Sequence, residues 1–340
     1  MSQDSKTLLE VKDLKMHFPI MKGIIPKPVA YVKAVDGVSF SIEEGKTLGL
    51  VGESGCGKTT TGKCILRIFK ATSGEVVFDG QDILHMPEHE YKKVRRNIQM
   101  IFQDPYGSLD PRQTAFSIVK EMYEGDGQRH TPEESKKAVE DLFRQVGLPV
   151  EMGTRYPHEM SGGQRQRLGI ARALSCHPKL IICDEPVSAL DVSIQAQVIN
   201  LFKELQEKLG LTYLFVAHDL AVVRHIADRI AVMYLGHIVE LMEGDELNKS
   251  PLHPYTYALL SAVPEVDYDK EQTKQRILLE GEIPSPIHAP SGCAFHPRCP
   301  YATDICSKEC PSLKEYSSKH YVACHNLETV LKMRKESSHG

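Results

Sequence analysis

The run Gly52-Glu-Ser-Gly-Cys-Gly-Lys58-Thr59 fits the pattern G-x-x-x-x-G-K-[ST]. Such a loop turns its backbone N–H groups inward around phosphates, and the helix that follows adds positive potential at its N-terminus. Glycines serve where the turn has no room for a Cβ. Lys58 is expected to bridge β- and γ-phosphates, and the Thr59 hydroxyl to sit on Mg²⁺. The candidate phosphate-side set is Gly52, Ser54, Gly55, Cys56, Gly57, Lys58, Thr59 and Thr60. A second constellation is Leu180-Ile-Ile-Cys-Asp184-Glu185, an apolar run ending in two carboxylates. Asp184 could hold Mg²⁺ through water, and Glu185 could polarise an attacking water. Phosphoryl transfer asks for a positioned nucleophile and charge neutralisation, with little covalent chemistry. The bland alternative is an acidic pair that caps the next element; beside a phosphate loop the catalytic reading is preferred. A third constellation is Ser161-Gly-Gly-Gln164, placed where a helix carrying Leu168, Ala171 and Leu174 should begin. A small polar residue and two glycines at a helix N-terminus make an anion site. One chain has no obvious need of two, so this one makes sense if it serves a nucleotide held by a different subunit.

Cysteines form the remaining cluster of chemistry-bearing residues. Of nine in all, Cys293, Cys299, Cys306, Cys310 and Cys324 crowd towards the C-terminus. From chemistry alone, four thiolates bind an iron–sulfur cluster or Zn²⁺ about equally well. The spacings match neither the C-x₂-C zinc pattern nor a ferredoxin run.

These residues need elements to position them. Leu48–Val51, Ile98–Phe102, Leu180–Cys183 and Thr212–Val216 are short apolar runs, which suits a parallel sheet covered on both faces. A helix is expected from Thr59 to about Phe69. Thr131-Pro-Glu-Glu134 reads as an N-cap with Pro first and Glu third, followed by an apolar stripe of Val139, Leu142, Phe143 and Val146 and a stop at Gly147. Asp191 to Leu209 repeats the logic, with Val198, Phe202, Leu205 and Leu209 in line and Gly210 after it. Residues from about 108 to 178 read as mainly helical. From Glu282 onward prolines at 284, 286, 290, 297, 300 and 311 break any long element. A domain boundary is therefore expected near 262–281, and the tail after His325 is expected to fray.

With 340 residues there is room for one large domain and an appendage, or for two domains. A net charge of −4 and a pI near 6.4 argue against a general nucleic-acid surface, and no nucleic-acid partner is expected. The N-terminus is polar and lacks a secretory signal's apolar core, and no apolar run reaches the length of a membrane span. The expected location is the cytosol, with any membrane role arising through a partner.

With the motifs in series, the chain resembles the nucleotide-binding subunits of ABC transporters over residues 8–262. Met160-Ser-Gly-Gly-Gln164 is similar to that family's LSGGQ signature, with Met in place of Leu. The resemblance implies an α/β fold: a P-loop ABC ATPase core at 1–262, with a helical subdomain inserted at about 108–178, and a small Cys-rich module at 263–340. It implies ATP and Mg²⁺ as ligands. Gln103, in Ile-Phe-Gln-Asp-Pro, matches the glutamine that contacts Mg²⁺ and links to the membrane subunit. Ser188-Ala-Leu-Asp191 matches the D-loop, and His218 the switch histidine near the γ-phosphate. Phe18 matches the aromatic that stacks on adenine, with Tyr31 as rival. The implied catalytic residues are Glu185, His218 and Gln103, and the implied Mg²⁺ ligands Thr59, Gln103 and Asp184. Ser161, Gly162, Gly163, Gln164 and Asp191 complete the nucleotide set.

Finer details resemble the ATPases of bacterial oligopeptide and dipeptide permeases, the F-type of two paralogues. The subfamily resemblance rests on Gln99-Met-Ile-Phe-Gln-Asp-Pro-Tyr-Gly-Ser-Leu-Asp-Pro-Arg112, Tyr31-Val-Lys-Ala-Val-Asp-Gly-Val-Ser-Phe40 and His253-Pro-Tyr-Thr-Tyr-Ala-Leu-Leu260, and the F-type resemblance on Gly55-Cys-Gly57 and Gly163-Gln164-Arg165. That group implies a heterodimer with a second, unlike ATPase, two membrane permease subunits and an extracellular or periplasmic peptide-binding protein, at the cytoplasmic face of the membrane. It also implies a [4Fe–4S] cluster on Cys293, Cys299, Cys306 and Cys324, with Zn²⁺ as the alternative and Cys310 surplus. Nickel importers share the subfamily, and a non-transport ABC ATPase is the more distant alternative.

Overall fold

The computed structural model describes residues 6–125, 128–247, 249–263, 277 and 279–337. The chain divides into two compact units. One comprises residues 1–9, 41–47 and 77–217, the other 10–40, 48–76 and 218–340.

The chain opens with two long strands, β1 (Thr7–Lys22) and β2 (Lys27–Glu43), joined at Gly23, whose φ is 98°. β3 (Thr47–Val51) is buried at every residue and leads into the phosphate loop. α1 (Lys58–Ile65) closes four residues before the expected end, because Arg67 turns into the left-handed region at φ 55°. β4 (Ser73–Phe78) and β5 (Gln81–Asp82) follow, then α2 (Glu88–Val94) and β6 (Ile98–Ile101). Residues 108–178 hold α3 (Ala115–Glu124), α4 (Pro132–Gln145), α5 (Gly162–Leu174) and two three-ten turns, with no strand among the described residues. Thr131 and Glu134 form the capping box read from their spacing, and Ser161 and Gln164 form another. α3 packs on both α4 and α5.

β7 (Leu180–Asp184), α6 (Val192–Leu209) and β8 (Thr212–Ala217) complete the first unit. In it β6, β7 and β8 run parallel, with Ile98 opposite Leu180 and Leu180 opposite Thr212. β7 and β8 are buried at every position, as a sheet covered on both faces requires. α6 lays Val198, Phe202 and Leu205 into that core, whereas Leu209, the last of the expected stripe, is 48% exposed. Phe202 meets Tyr213 and Phe215 edge-on at 5.5 and 5.8 Å. The Tyr213 hydroxyl donates to the Phe202 carbonyl, so it is not orphaned by burial.

In the second unit α7 (Leu220–Ile226) precedes β9 (Arg229–Tyr234) and β10 (His237–Glu243). β3 and β9 are parallel, and β9 and β10 form a hairpin. Gly49 has no room for a side chain, since a Cβ would stand 2.1 Å from Val223 Cγ1. After α8 (Pro254–Ala262), most of the expected boundary near 262–281 lies outside the described residues. Beyond it come α9 (Asp304–Lys308), β11 (Lys314–Ser317), β12 (His320–Val322) and α10 (Leu327–Ser337). The tail after His325 is therefore a helix anchored by the fully buried Val330, and not the frayed end expected from its charge.

β12 extends β10, with Glu240 opposite Val322. Glu240 is fully buried there and accepts from the Leu252 and His253 N–H groups at 2.7 and 2.9 Å, with His320 Nε2 at 2.8 Å. Removing a carboxylate that satisfies three buried groups costs about 3 kcal/mol. Glu240→Ala should lower the urea midpoint accordingly, with the slope of the transition unchanged.

Candidate functional site

The phosphate loop is fully formed in the second unit. Gly52, Gly55 and Gly57 have φ of 150°, 79° and 110°, where a side chain is strained. Space excludes one as well at two of them. A Cβ on Gly52 would lie 2.1 Å from the Met233 carbonyl oxygen, and one on Gly57 2.1 Å from that of Ala34. Lys58 is 4% exposed, and its Nζ donates to the Gly52 and Glu53 carbonyls at 2.8 and 3.0 Å. Those carbonyls stand in for the phosphate oxygens that the ammonium would take. Burial pushes the Cys56 thiol up, against the pull of Lys58, so it is an uncharged wall of the loop. Ser54 and Gly55 are exposed, and Thr59 and Thr60 are half-buried on α1. The loop is also held from outside, because the Glu53 N–H donates to the Tyr255 hydroxyl at 2.9 Å. Nothing near Glu53 in sequence announces Tyr255, which lies 202 residues on.

The same unit carries Phe18, His218 and the C-terminal cysteines. The Phe18 ring is half-buried edge-on to Phe69 at 5.3 Å, while Tyr31 is 50% exposed. His218 is exposed just ahead of Asp219, which caps α7 through the Ala221 N–H.

The first unit brings together Gln103, Asp184, Glu185, the 161–164 segment and Asp191. Asp184 closes β7 and is 3% exposed. Glu185 follows in the left-handed region at φ 45°, an unusual place for a residue with a side chain. It is pinned there by its N–H to the Val216 carbonyl, at 2.9 Å, and by the Ser188 hydroxyl donating to its own carbonyl, at 3.0 Å. Its carboxylate accepts from Gln103 Nε2 at 2.8 Å. Gln103 and Glu185, read from separate motifs 82 residues apart, are thus in direct contact.

Ser161 and Gly162 are exposed at the start of α5, while Gln164 turns back to the Ser161 N–H at 2.9 Å. Gly163 has a packing role, since a Cβ there would meet Ile194 Cγ2 of α6 at 2.8 Å. Asp191 caps α6, and the Ile194 N–H and the Ser193 hydroxyl hold its carboxyl below the usual range.

The cysteines do not make a site for a single ion. Among the described residues, no three or more His, Cys, Asp and Glu side chains are grouped to hold a metal ion. The described residues thus give neither Zn²⁺ nor a [4Fe–4S] cluster on Cys293, Cys299, Cys306 and Cys324 a preformed ligand set. Burial pushes the Cys293 and Cys299 thiols up to about 11. Cys306 Sγ is occupied with Thr303 and with Asn326 Nδ2, at 3.7 and 3.4 Å. The Cys293 N–H donates to the Cys306 carbonyl at 2.7 Å, so these two residues are neighbours.

Comparison with known proteins follows the same motifs. Residues 35–188 match the ABC transporter family model, and residues 239–306 match the model of the oligopeptide/dipeptide transporter C-terminal region. The chain is 55% identical over 323 residues to the oligopeptide transport ATP-binding protein AppF of Bacillus subtilis, covering 95% of this chain and 98% of that one. It is 53% identical over 331 residues to OppF of Escherichia coli, an oligopeptide transport ATP-binding protein, covering 97% and 99%. Among solved structures, the ATP-binding cassette MJ0796, a dimer in a post-hydrolysis state bound to ADP and Pi, superposes with a TM-score of 0.63. That pair is 28% identical, covering 69% of this chain and 98% of that one.

The loop's glycines set a test. Gly57→Ala meets both strain and the Ala34 carbonyl, a cost of about 1–3 kcal/mol before the loop distorts. Titration with a fluorescent ATP analogue should show at least about ten-fold weaker binding.

Proposed function

The chain belongs to the ABC transporter ATP-binding family, and from that premise we propose that it is the ATP-hydrolysing subunit of a peptide importer. The observation that carries the reading is the Gln103–Glu185 contact at the end of β7, a base candidate held in place by the residue that family resemblance assigns to contacting Mg²⁺ and linking to the membrane subunit. The substrate class is supported by the C-terminal match over 239–306 and by the oligopeptide transport relatives.

In this reading residues 1–262 form the nucleotide-binding domain, with 108–178 as its inserted helical subdomain, and 263–340 the C-terminal module. ATP enters the phosphate loop, and Lys58 leaves the Gly52 and Glu53 carbonyls for the β- and γ-phosphates. Phe18 stacks on the adenine. Thr59, Gln103 and Asp184 would hold Mg²⁺, which supplies charge neutralisation at the phosphates when bound. Glu185 takes a proton from the attacking water, and His218 lies on the γ-phosphate side. Ser161 to Gln164 and Asp191 face the nucleotide of a second, unlike ATPase, so that closure of the pair completes both sites. ATP favours the closed pair through its differential affinity for it. The Gln103 region and the helical subdomain pass the motion to two membrane permease subunits, fed by a peptide-binding protein. No helix among the described residues is long and apolar enough to cross a membrane, and the proposed place is peripheral, at the membrane's cytoplasmic face.

A [4Fe–4S] cluster on Cys293, Cys299, Cys306 and Cys324 belongs to the same reading. What supports it is the family resemblance of these four positions, together with the Cys293 N–H bond to the Cys306 carbonyl, at 2.7 Å, which makes two of them neighbours. Protein purified without oxygen should contain roughly four irons and four sulfides per chain. Stoichiometric zinc, or no metal, would remove the cluster and leave the ATPase standing.

Two substitutions test the chemistry. Lys58→Ala should lose ATP binding. Glu185→Gln should still bind ATP, with phosphate release by the assembled transporter falling by about 10²–10⁴-fold. Undiminished turnover would remove Glu185 as the base, once the partner subunit's site has been disabled. Uptake of labelled peptide into vesicles carrying the assembled transporter tests the substrate class, and uptake of nickel in its place would reassign it.

A further inference from the structure

Arg298 stands between Cys293 and Cys299, yet its guanidinium reaches the phosphate loop, 245 residues away in sequence. Nη1 donates to Glu53 Oε2 at 2.9 Å and Nη2 to Glu53 Oε1 at 3.3 Å, a fork on both carboxylate oxygens. The side chain is 7% exposed and Glu53 24%. Nη1 also lies 3.5 Å from the Tyr234 hydroxyl, and the guanidinium carbon sits 6.0 Å from the Tyr234 ring centre. Burial works against the charge on Arg298, but its bonds to Glu53 and Tyr234 outweigh it and hold the group firmly protonated. The ring beneath is fixed in turn. Tyr234, Tyr255 and Phe295 pack on one another with centroids 4.7, 5.2 and 5.5 Å apart. Tyr255 takes the Glu53 N–H from the other side.

Glu53 is thus gripped at both its backbone and its carboxylate, and its carbonyl is one of the two on which Lys58 waits. A carboxylate inside a loop built for a polyphosphate is a liability, since like charges at close range repel strongly where water is scarce. Arg298 removes that charge and holds the residue still. We propose that Arg298 is a positioning residue for the ATP site: by neutralising and pinning Glu53, it makes the cysteine-bearing segment set the phosphate loop's affinity for nucleotide. The proposal rests on the ATP-binding reading above.

The test uses the full-length protein and a fluorescent ATP analogue with Mg²⁺, with the thermal midpoint of each nucleotide-free variant measured alongside. Arg298→Met should bind on the order of ten-fold more weakly, because an uncompensated anion is left in the loop. The telling variant is the double one. Glu53→Gln combined with Arg298→Met removes the repelling charge together with its partner, and should return affinity to within about three-fold of wild type. A residue that merely holds the segment together would leave the double variant as weak as Arg298→Met. That result, or wild-type affinity in Arg298→Met, overturns the proposal. If Arg298→Met does not fold, the double variant decides alone, near-wild-type affinity supporting the proposal and lost binding overturning it. Failure of the wild-type chain to bind the analogue would instead overturn the ATP-binding reading, and this inference with it.

Discussion

Two carbonyl oxygens, those of Met233 and Ala34, fill the space where side chains at Gly52 and Gly57 would stand. A loop that offers only N–H groups to phosphate must have its outer wall supplied by other segments, and here that wall is backbone. The clamp continues through the Gly236 N–H, which donates to the Cys56 carbonyl, and through the Asp36 N–H, which donates to the Gly236 carbonyl, each at 2.9 Å. The phosphate loop therefore depends on the end of β9 and on β2, segments with no phosphate chemistry of their own. Shifting either by an ångström would open the loop as surely as replacing a glycine in it.

The first unit meets a related constraint differently. Glu185 must leave the end of β7 and turn its carboxylate aside within one residue, and a left-handed backbone achieves this. A glycine would ease the backbone but would remove the carboxylate that Gln103 holds. The strain is held by bonds on every side of the residue: its N–H to Val216, its carbonyl from Ser188 and its carboxylate from Gln103. Strain that surroundings over-determine is what a pre-organised site looks like.

Legibility followed locality. The capping boxes at Thr131 and Ser161, the left-handed stop at Gly210 and the buried runs of β7 and β8 were readable because a few adjacent residues decide them. The β1–β2 hairpin was not read, although Leu14, Met16, Phe18 and Ile20 alternate with Lys15, His17 and Pro19. Arg67, taking a left-handed φ without being glycine, gave no signal of where α1 ends. The tail looked frayed because its charges outnumber its apolar residues, yet the single buried Val330 anchors a helix there. Four cysteines close in sequence read as a ligand set, and only the structure showed burial pushing the Cys293 and Cys299 thiols up to about 11.

Burial of charge was the feature most hidden from sequence. Glu240 and Arg298 belong to residue types that normally face water, and their partners lie 80 and 245 positions away. Both contacts lie within the unit that contains the phosphate loop, and each involves a residue beyond 290. Breaking a buried pair from one side leaves the other charge uncompensated, which costs more than the pair contributes when intact. The C-terminal segment is therefore not energetically separable from the loop. Without His320, Glu240 loses its ring partner, and without Arg298, the Glu53 carboxylate loses both of its guanidinium bonds. The same argument explains why a segment broken by prolines holds its place: fixed polar partners in the second unit, together with packing of Phe295 against Tyr234 and Tyr255, do what long helices and strands do elsewhere in the chain.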